Sequence, residues 1–572
     1  MINTTNLLAL KMQQPQQITI KKPQLTLTEL KTVESGLLGS YLNNLALINK
    51  PVVQPAQTVT PVNYHNNLRK LFKDNDAKIL AIIPRTFNAK DINGNEYIDG
   101  NEQVGTFKNA IERLDEVKAD GFNTLHILPI HPTGKIKAMG TAGSLYSPLD
   151  LLSIDPNLLD PNDPRSDREQ FKDFIDECHK RDIKVMLDLP SCASYELFLN
   201  HPEWMAIEAD GLAKTPQGWN DIRMFQPWED EGKRTLNPKL LELHKEYVDM
   251  CIDLGVDGIR ADVARAKPVE FWDVLIPYSH MRDPNFAWLA ETYTYEDASP
   301  QANMPYDRPE DSLRAGFDSI YGQYHIFHEW GNATTFMDYV KEQLEMSYRL
   351  PKGKSLIGSF ATHDDISPMF HGGVDYCNMT MGLQATLPML NPYIVDGYQS
   401  GDYYLYSYED KQNSNTQTDN HEMTVHRGRL DIFNNSRKPG GKNPEIGKFM
   451  HDAFAMRDKY NDIISKGTFI QLEKIGDKND QIITYARHLN GKTLLVVANK
   501  NVNRPISASI KVPTLKRTQE LKNLLPSYGK ESVFQAQDNE LRVNLGPARV
   551  HVFDIDTPQI EKYCNKIYKQ NI

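Results

Sequence analysis

GIRADVA, residues 258–264, is a short apolar run that ends in charge. Arg260 and Asp262 lie two apart, so on a β-strand both side chains point to the same side. Seven further runs have the same texture: ILAIIP (79–84), NTLHILPI (123–130), IKVMLDLP (183–190), FAWLAETY (286–293), AGFDSIY (315–321), SLIGSFATHD (355–364) and the region around NPYIVDGY (391–398). Amphipathic stretches separate them. In FKNAIERLDEVKADGF (107–122) and PKLLELHKEYVDMCIDLGV (238–256) apolar residues recur at helical three-and-four spacing. Eight buried runs with intervening helices predict an α/β fold, an eight-stranded (β/α)8 TIM barrel. An open doubly wound sheet is the competing arrangement, and the pattern favours the barrel.

The barrel is expected over residues 76–456. Its third run is followed by a long connection, about 190–237, that holds Trp204, Trp219, Phe225 and Trp228. A connection of this length in a compact domain reads as an inserted loop subdomain with a functional role. After about Asp458 the texture becomes all-β, with FIQLEKI, QIITYARHL, KTLLVVANK, ISASIKV, LRVNLG and ARVHVFDI as strands. Asn490-Gly491 between two of them is a hairpin signal. Residues 457–558 are therefore expected to form a C-terminal antiparallel β-sandwich. Residues 1–75, rich in Gln, Thr, Asn and Pro, read as an extended arm with one helix near Leu27 to Ile48 and no assigned chemistry.

Composition narrows the function. The chain has 572 residues, 40 % hydrophobic and 24 % charged, with a formal net charge of −11. That acidic excess argues against a nucleic-acid binder, which would carry a basic stripe. No run of 18 apolar residues points to a membrane span. The N-terminal stretch lacks the basic segment and long apolar core of a signal peptide. Five cysteines without a CxxC pair read as reduced thiols of a cytoplasmic protein.

The active site of a β/α barrel lies at the C-terminal ends of its strands. The second run ends near His131, the third at Asp188, the fourth at Arg260 and Asp262, the fifth at Glu291, and the seventh at His363, Asp364 and Asp365. One such acid would be an ordinary cap or loop charge. Acids from four strands at one rim are harder to dismiss, because buried carboxylates are costly unless paired or used. A guanidinium beside Asp262 would hold it ionised, as a nucleophile requires. Paired carboxylates across a cleft suit glycosidic bond chemistry, in which one attacks the anomeric carbon and the other protonates the leaving oxygen.

These residues carry a resemblance to the α-amylase superfamily, glycoside hydrolase family thirteen. GVDGIRADVA (255–264) resembles its nucleophile segment, with Arg260 and Asp262 at the motif positions. WLAETY (288–293) is similar to the acid/base segment and puts Glu291 in that role. FATHDD (360–365) is similar to the segment with the transition-state-stabilising pair, His363 and Asp364. LYSPLD (145–150) resembles the second-strand loop, with Tyr146 at the sugar-stacking position and Asp150 at the following aspartate. The resemblance implies catalytic Asp262, Glu291 and Asp364. It also implies substrate binding by Arg260, His363, Tyr146, Asp150 and Asp188, on an oligosaccharide or polysaccharide α-glucan.

One segment departs from the family. The third-strand motif usually reads Asp-x-x-x-Asn-His, and here it is DLPSCA (188–193). Cys192 replaces an asparagine that often binds calcium, and Ala193 replaces a histidine that contacts the sugar. A soft thiol is a poor ligand for a hard cation, so no metal is expected, and no redox or organic cofactor is implied. The lost histidine removes one hydrogen bond, on the order of 1 kcal/mol if neutral. LPIHPTG (128–134) and the HPEWM…DG run (201–211) resemble the bacterial maltosyltransferase branch that uses maltose 1-phosphate.

Three functions follow as expectations. The first is hydrolysis of α-1,4-linked glucans by retaining double displacement. The second is glycosyl transfer from a sugar-phosphate donor. The third is a catalytically impaired carbohydrate-binding protein, against which the intact acids argue. His131 reads first as a packing residue, Lys135 and Lys137 as surface charge, and Cys192 as no nucleophile. The HEW at 328–330 lacks a second histidine at metal spacing.

Overall fold

The computed structural model describes residues 64–90, 92, 102–138, 144–216, 219–293, 309–403, 443–525 and 532–572. The helix expected near Leu27 to Ile48 lies outside them.

Eight parallel strands form the barrel: β1 (Ile79–Ile82), β2 (Thr124–Ile127), β3 (Lys184–Leu189), β4 (Gly258–Ala261), β5 (Ala287–Ala290), β6 (Ser319–Ile320), β7 (Ser355–Ile357) and β8, which is split into Leu390–Asn391 and Tyr393–Val395. Each strand pairs with the next in chain order. The ring closes at the split. Leu390 and Asn391 pair with β7, while Tyr393 to Val395 pair with β1. Pro392 lies between the halves and has no N–H to give. Its carbonyl still accepts from the Ile79 amide at 2.8 Å. The barrel interior is lined by Ala81, Met186, Leu289, Ile357 and Tyr393, all buried. Leu68 and Phe72, from the helix Leu68–Lys73, belong to the same cluster.

Local sequence explains the helices that hold the strands in place. Helix α1 (Asp167–Lys180) starts in a capping box made by Ser166 and Glu169. Helix α2 (Pro238–Leu254) starts at Asn237, whose side chain accepts from the amides of Lys239 and Leu240, and has Pro238 in its first turn. It ends at Gly255, with φ 93°, a conformation suited to glycine. The stretch expected as one helix over 107–122 is broken instead: Phe107–Ala110 and Leu114–Ala119 are α-helical and Ile111–Arg113 is a 3-10 turn.

The connection after β3 holds two short hairpins, Cys192–Ala193 with Arg223–Met224 and Trp228–Asp230 with Thr235–Leu236. Phe225 and Trp228 are buried there, and Phe225 packs against His244 of α2. Beyond the barrel, the described residues form two antiparallel sheets. One holds β9 (Thr468–Gln471), β11 (Ile482–Leu489), β12 (Lys492–Asn499), β14 (Lys522–Asn523), β17 (Arg549–Asp556) and β18 (Ile567–Tyr568). The other holds β10 (Lys474–Ile475), β13 (Ile506–Lys511), β15 (Val533–Gln537) and β16 (Glu540–Leu545). Asn490 and Gly491, at φ 52° and 84°, form the two-residue turn between β11 and β12. The (β/α)8 barrel, its insertion and the antiparallel C-terminal sheets are those the sequence pattern predicts. Helix α3 (Met369–Gln384) runs onto the first sheet, and just past its end the Thr386 hydroxyl lies 2.7 Å from that of Tyr485. No helix among the described residues is long and apolar enough to cross a membrane.

Candidate active site

The polar residues that end β3, β4, β5 and β7 meet at one rim. Their centre is Arg260, fully buried near the end of β4. Its Nη1 donates to Asp188 Oδ1 at 2.9 Å and to Asp262 Oδ1 at 2.9 Å. Its Nε donates to the Tyr321 hydroxyl at 3.0 Å. Nη2 lies 2.8 Å from Glu291 Oε2, close enough to pair by charge but off the hydrogen-bond direction. One guanidinium therefore touches three carboxylates from three strands. Such a buried cation is tolerable only because those anions surround it.

Asp188 is the structural partner in this set. Besides Arg260, its Oδ2 accepts from the Tyr146 hydroxyl at 2.9 Å and lies 3.2 Å from His126 Nε2. Burial opposes ionisation of Asp188, but Arg260 and then His126 outweigh it and hold the carboxyl below its usual range. The Tyr146 hydroxyl also lies 2.7 Å from His363 Nε2, and the two rings stack at 5.9 Å between centroids. His363 Nε2 is in turn 3.3 Å from Asp364 Oδ2. A continuous polar chain thus runs from Asp364 through His363 and Tyr146 to Asp188, Arg260 and the remaining two acids.

Asp262 and Glu291 face different surroundings. Asp262 Oδ2 accepts from the Ser191 amide at 2.9 Å and the Ser191 hydroxyl at 2.7 Å. Glu291 Oε2 accepts from the Val263 amide at 2.7 Å, and Oε1 from the Tyr293 hydroxyl at 3.3 Å. Burial is the largest influence on both and pushes both upward. Glu291 rises to about 8, with Arg260 opposing and the charges of Asp262 and Asp364 adding to the rise. Close carboxylates share protons as a pair. The proton rests on Glu291, because Asp262 has the three well-aimed donors. The rim therefore offers an ionised carboxylate beside a protonated one near neutral pH, the division of labour that acid-assisted displacement at an anomeric carbon needs.

Not every expected residue joins this group. Asp150 turns away into its own loop, where it accepts from the Leu152 amide at 2.9 Å and from the Ser153 hydroxyl. His131 is buried, with Nδ1 2.9 Å from the Ser153 carbonyl, and packs against Tyr247. Lys137 lies over the Tyr195 ring at 4.1 Å. His328 stacks on His371 at 3.8 Å between centroids. Asp365 turns back on its own loop, where its Oδ2 accepts from the amide and hydroxyl of Thr362, both at 2.8 Å.

Several residues of the site go unmarked in the sequence. Ser191 and the Val263 amide are two, and His126, Tyr321 and Tyr393 are three more, buried in the barrel beneath the acids. Lys267 is another. It is buried, with Nζ 3.5 Å from the Ser191 carbonyl oxygen, and burial lowers its pKa to about 8. A signal for Ser191 existed in DLPSCA, where it stands three residues after Asp188.

Cys192 stands where the resemblance would place an asparagine ligand of calcium. Cys192 is buried, and burial pushes its thiol up to about 12, so it stays neutral. Among the described residues no group of three His, Cys, Asp or Glu side chains is arranged to hold a metal ion.

The same architecture occurs in known proteins. No family model matches the chain. An α-1,4-glucan:maltose-1-phosphate maltosyltransferase from Cereibacter sphaeroides is 27 % identical over 305 residues, 50 % of this chain and 42 % of that protein. The enzyme of that name from Bifidobacterium animalis subsp. lactis is 25 % identical over 457 residues, 73 % of this chain and 55 % of that one. The chain thus matches about half the length of these curated relatives. A maltogenic α-amylase structure from Thermotoga neapolitana superposes with a TM-score of 0.62 at 18 % identity, over 84 % of this chain and 99 % of its own. The chain therefore shares the fold of this α-amylase structure. An α-amylase structure from Lactobacillus plantarum is similar in fold too, with a TM-score of 0.59 at 18 % identity, over 85 % of this chain and 100 % of its own.

Proposed function

We propose that the chain acts on α-1,4-linked glucans or maltooligosaccharides by retaining double displacement. The observation that carries this reading is the shared guanidinium of Arg260, which touches both Asp262 and Glu291 while their other contacts separate their protonation. Asp262 attacks the anomeric carbon, and Glu291 gives its proton to the departing oxygen. A glycosyl ester on Asp262 results. Glu291 then accepts the proton of the incoming hydroxyl. Asp364 and His363 bind the ring hydroxyls, and Tyr146 offers its face to the sugar. Their interactions count most where the ring is distorted, at the transition state.

Hydrolysis, with water as acceptor, is the first form of this reaction. Glycosyl transfer from a sugar phosphate to a glucan is the second. The names of the Cereibacter and Bifidobacterium relatives favour it, as does Ala193 in place of the family's sugar-contacting histidine. The intact acids tell against a binding protein without activity. No metal or organic cofactor takes part in this scheme.

One incubation separates the outcomes. Maltoheptaose is supplied with and without phosphate, and products are read by length. Shorter sugars alone support hydrolysis, and products longer than the input support transfer. Maltose 1-phosphate in the phosphate sample singles out the maltosyl donor. Asp262→Asn should fold and lose turnover, and retention of more than a few per cent of activity would overturn the scheme.

A further inference from the structure

The turn after β3 does more than deliver Asp188. Both donors of Ser191, its amide at 2.9 Å and its hydroxyl at 2.7 Å, converge on one oxygen of Asp262, Oδ2. The other oxygen, Oδ1, meets Arg260 Nη1 at 2.9 Å, and that nitrogen is shared with Asp188. The two oxygens are therefore unequal. The turn is also backed from behind. Buried Lys267 places Nζ 3.5 Å from the Ser191 carbonyl and 5.3 Å from the centre of the Phe225 ring. Ser191 itself is buried, so its hydroxyl has little freedom to leave Oδ2.

We propose that Ser191 is a catalytic residue that assigns the two oxygens of Asp262 and speeds breakdown of the glycosyl ester. This rests on the reading of Asp262 as nucleophile given above. In the first step Oδ1 forms a bond to the anomeric carbon, the bond to the leaving group breaks, and a departing glycosidic oxygen takes the proton of Glu291. Oδ2 becomes the ester carbonyl oxygen. In the second step the acceptor oxygen bonds to the anomeric carbon and its proton passes to Glu291. The bond from that carbon to Oδ1 breaks, and its electron pair returns to the carboxylate. Charge on Asp262 is lost in the first step and regained in the second. A hydrogen bond to a carboxylate is stronger than one to a neutral carbonyl. Donors on Oδ2 therefore lower the barrier of the second step relative to the first.

The test is turnover of α-maltosyl fluoride by the full chain, followed by rapid quench and by intact mass. Fluoride leaves without needing a proton, so the first step is fast. Ser191→Ala should lower kcat roughly 10- to 100-fold, the factor that a hydrogen bond to a charged group carries. KM should fall with it. A burst of fluoride should appear, and the glycosyl ester should be found on the quenched protein. Ser191→Cys, which keeps the volume and weakens the donor, should do the same. Ser191→Thr, which keeps a hydroxyl, should restore turnover without a burst. An unchanged kcat in Ser191→Ala and Ser191→Cys, or a lower kcat without burst or ester, overturns the role of Ser191 alone. Failure of the unaltered chain to release fluoride, or full release by Asp262→Asn, overturns the nucleophile assignment and this proposal together.

Discussion

The amide of Val263 donates to Glu291 Oε2 at 2.7 Å, and Val263 makes this contact from a left-handed backbone conformation at φ 34° and ψ 63°. A β-branched residue rarely adopts that conformation, which costs about 1–3 kcal/mol. The strain sits directly after Asp262 and aims a backbone donor at Glu291. Comparison of Val263→Gly with Val263→Ala isolates it, since both lose the same side chain. At ordinary positions alanine is the more stable by up to about 1 kcal/mol. Here glycine should be the more stable by about 1 kcal/mol in chemical denaturation. The usual order would show that the conformation stores no strain.

Glu291 makes activity and stability both fall as pH rises toward and through 8. With its carboxyl raised to about 8, it keeps its proton through neutrality, and kcat/KM should fall as pH rises through 8. The folded state binds this proton more tightly than the unfolded state does. Stability should therefore decline as pH rises from the ordinary glutamate range toward 8. Glu291→Gln should be more stable than the parent by about 3 kcal/mol at pH 7, while losing turnover of unactivated glucans. Equal denaturation midpoints from pH 4 to pH 8 would contradict the raised value.

Lys267 reverses that sign. Burial lowers its pKa to about 8, so between about 8 and the usual lysine value the unfolded chain holds more protons. Stability should rise as pH climbs through that window. Lys267→Met should remove the rise and stabilise the chain by up to about 3 kcal/mol at pH 7. It should also slow turnover, because the Ser191 turn loses its backing. Thermal unfolding between pH 7 and pH 10 tests the first effect, and a variant with full activity would disprove the second.

Asp188 holds Arg260 through Nη1, the nitrogen that also meets Asp262. Asp188→Ala leaves the guanidinium with one aligned carboxylate fewer, inside a fully buried site. Loss of one partner from such a cluster destabilises by about 3–5 kcal/mol. Denaturant titration of the variant should show that loss along with loss of activity. A change below about 1 kcal/mol would mean that Arg260 finds another partner.

The parts that were legible in the sequence are those made by side chains at strand ends. Asp188, Arg260, Asp262, Glu291, His363 and Asp364 each follow an apolar run, and a closed barrel has only one rim to which such residues can lead. Contributions from the backbone left no such mark. The Val263 amide acts through a conformation that valine does not advertise. Ser191 acts because its turn folds back toward β4, a matter of three-dimensional path. For Asp150, the motif position alone did not reveal that its carboxylate accepts hydrogen bonds within its own loop. Edge strand β15 left no signal either, because its residues are exposed or only half-buried and carry little of an apolar pattern.

The divided eighth strand gives the barrel a seam. Its halves answer to different neighbours, and the Pro392 carbonyl is the stitch that fastens β1 to the gap between them. A closed ring has no edge from which to unzip, so opening must start where one contact bridges two registers. The amides of Ile79 and of residues 393–395 should then exchange with solvent as a group, earlier than those of β3 and β4 on the opposite wall. The acids that meet on β3, β4 and β5 would thus sit in the part of the ring that is last to loosen.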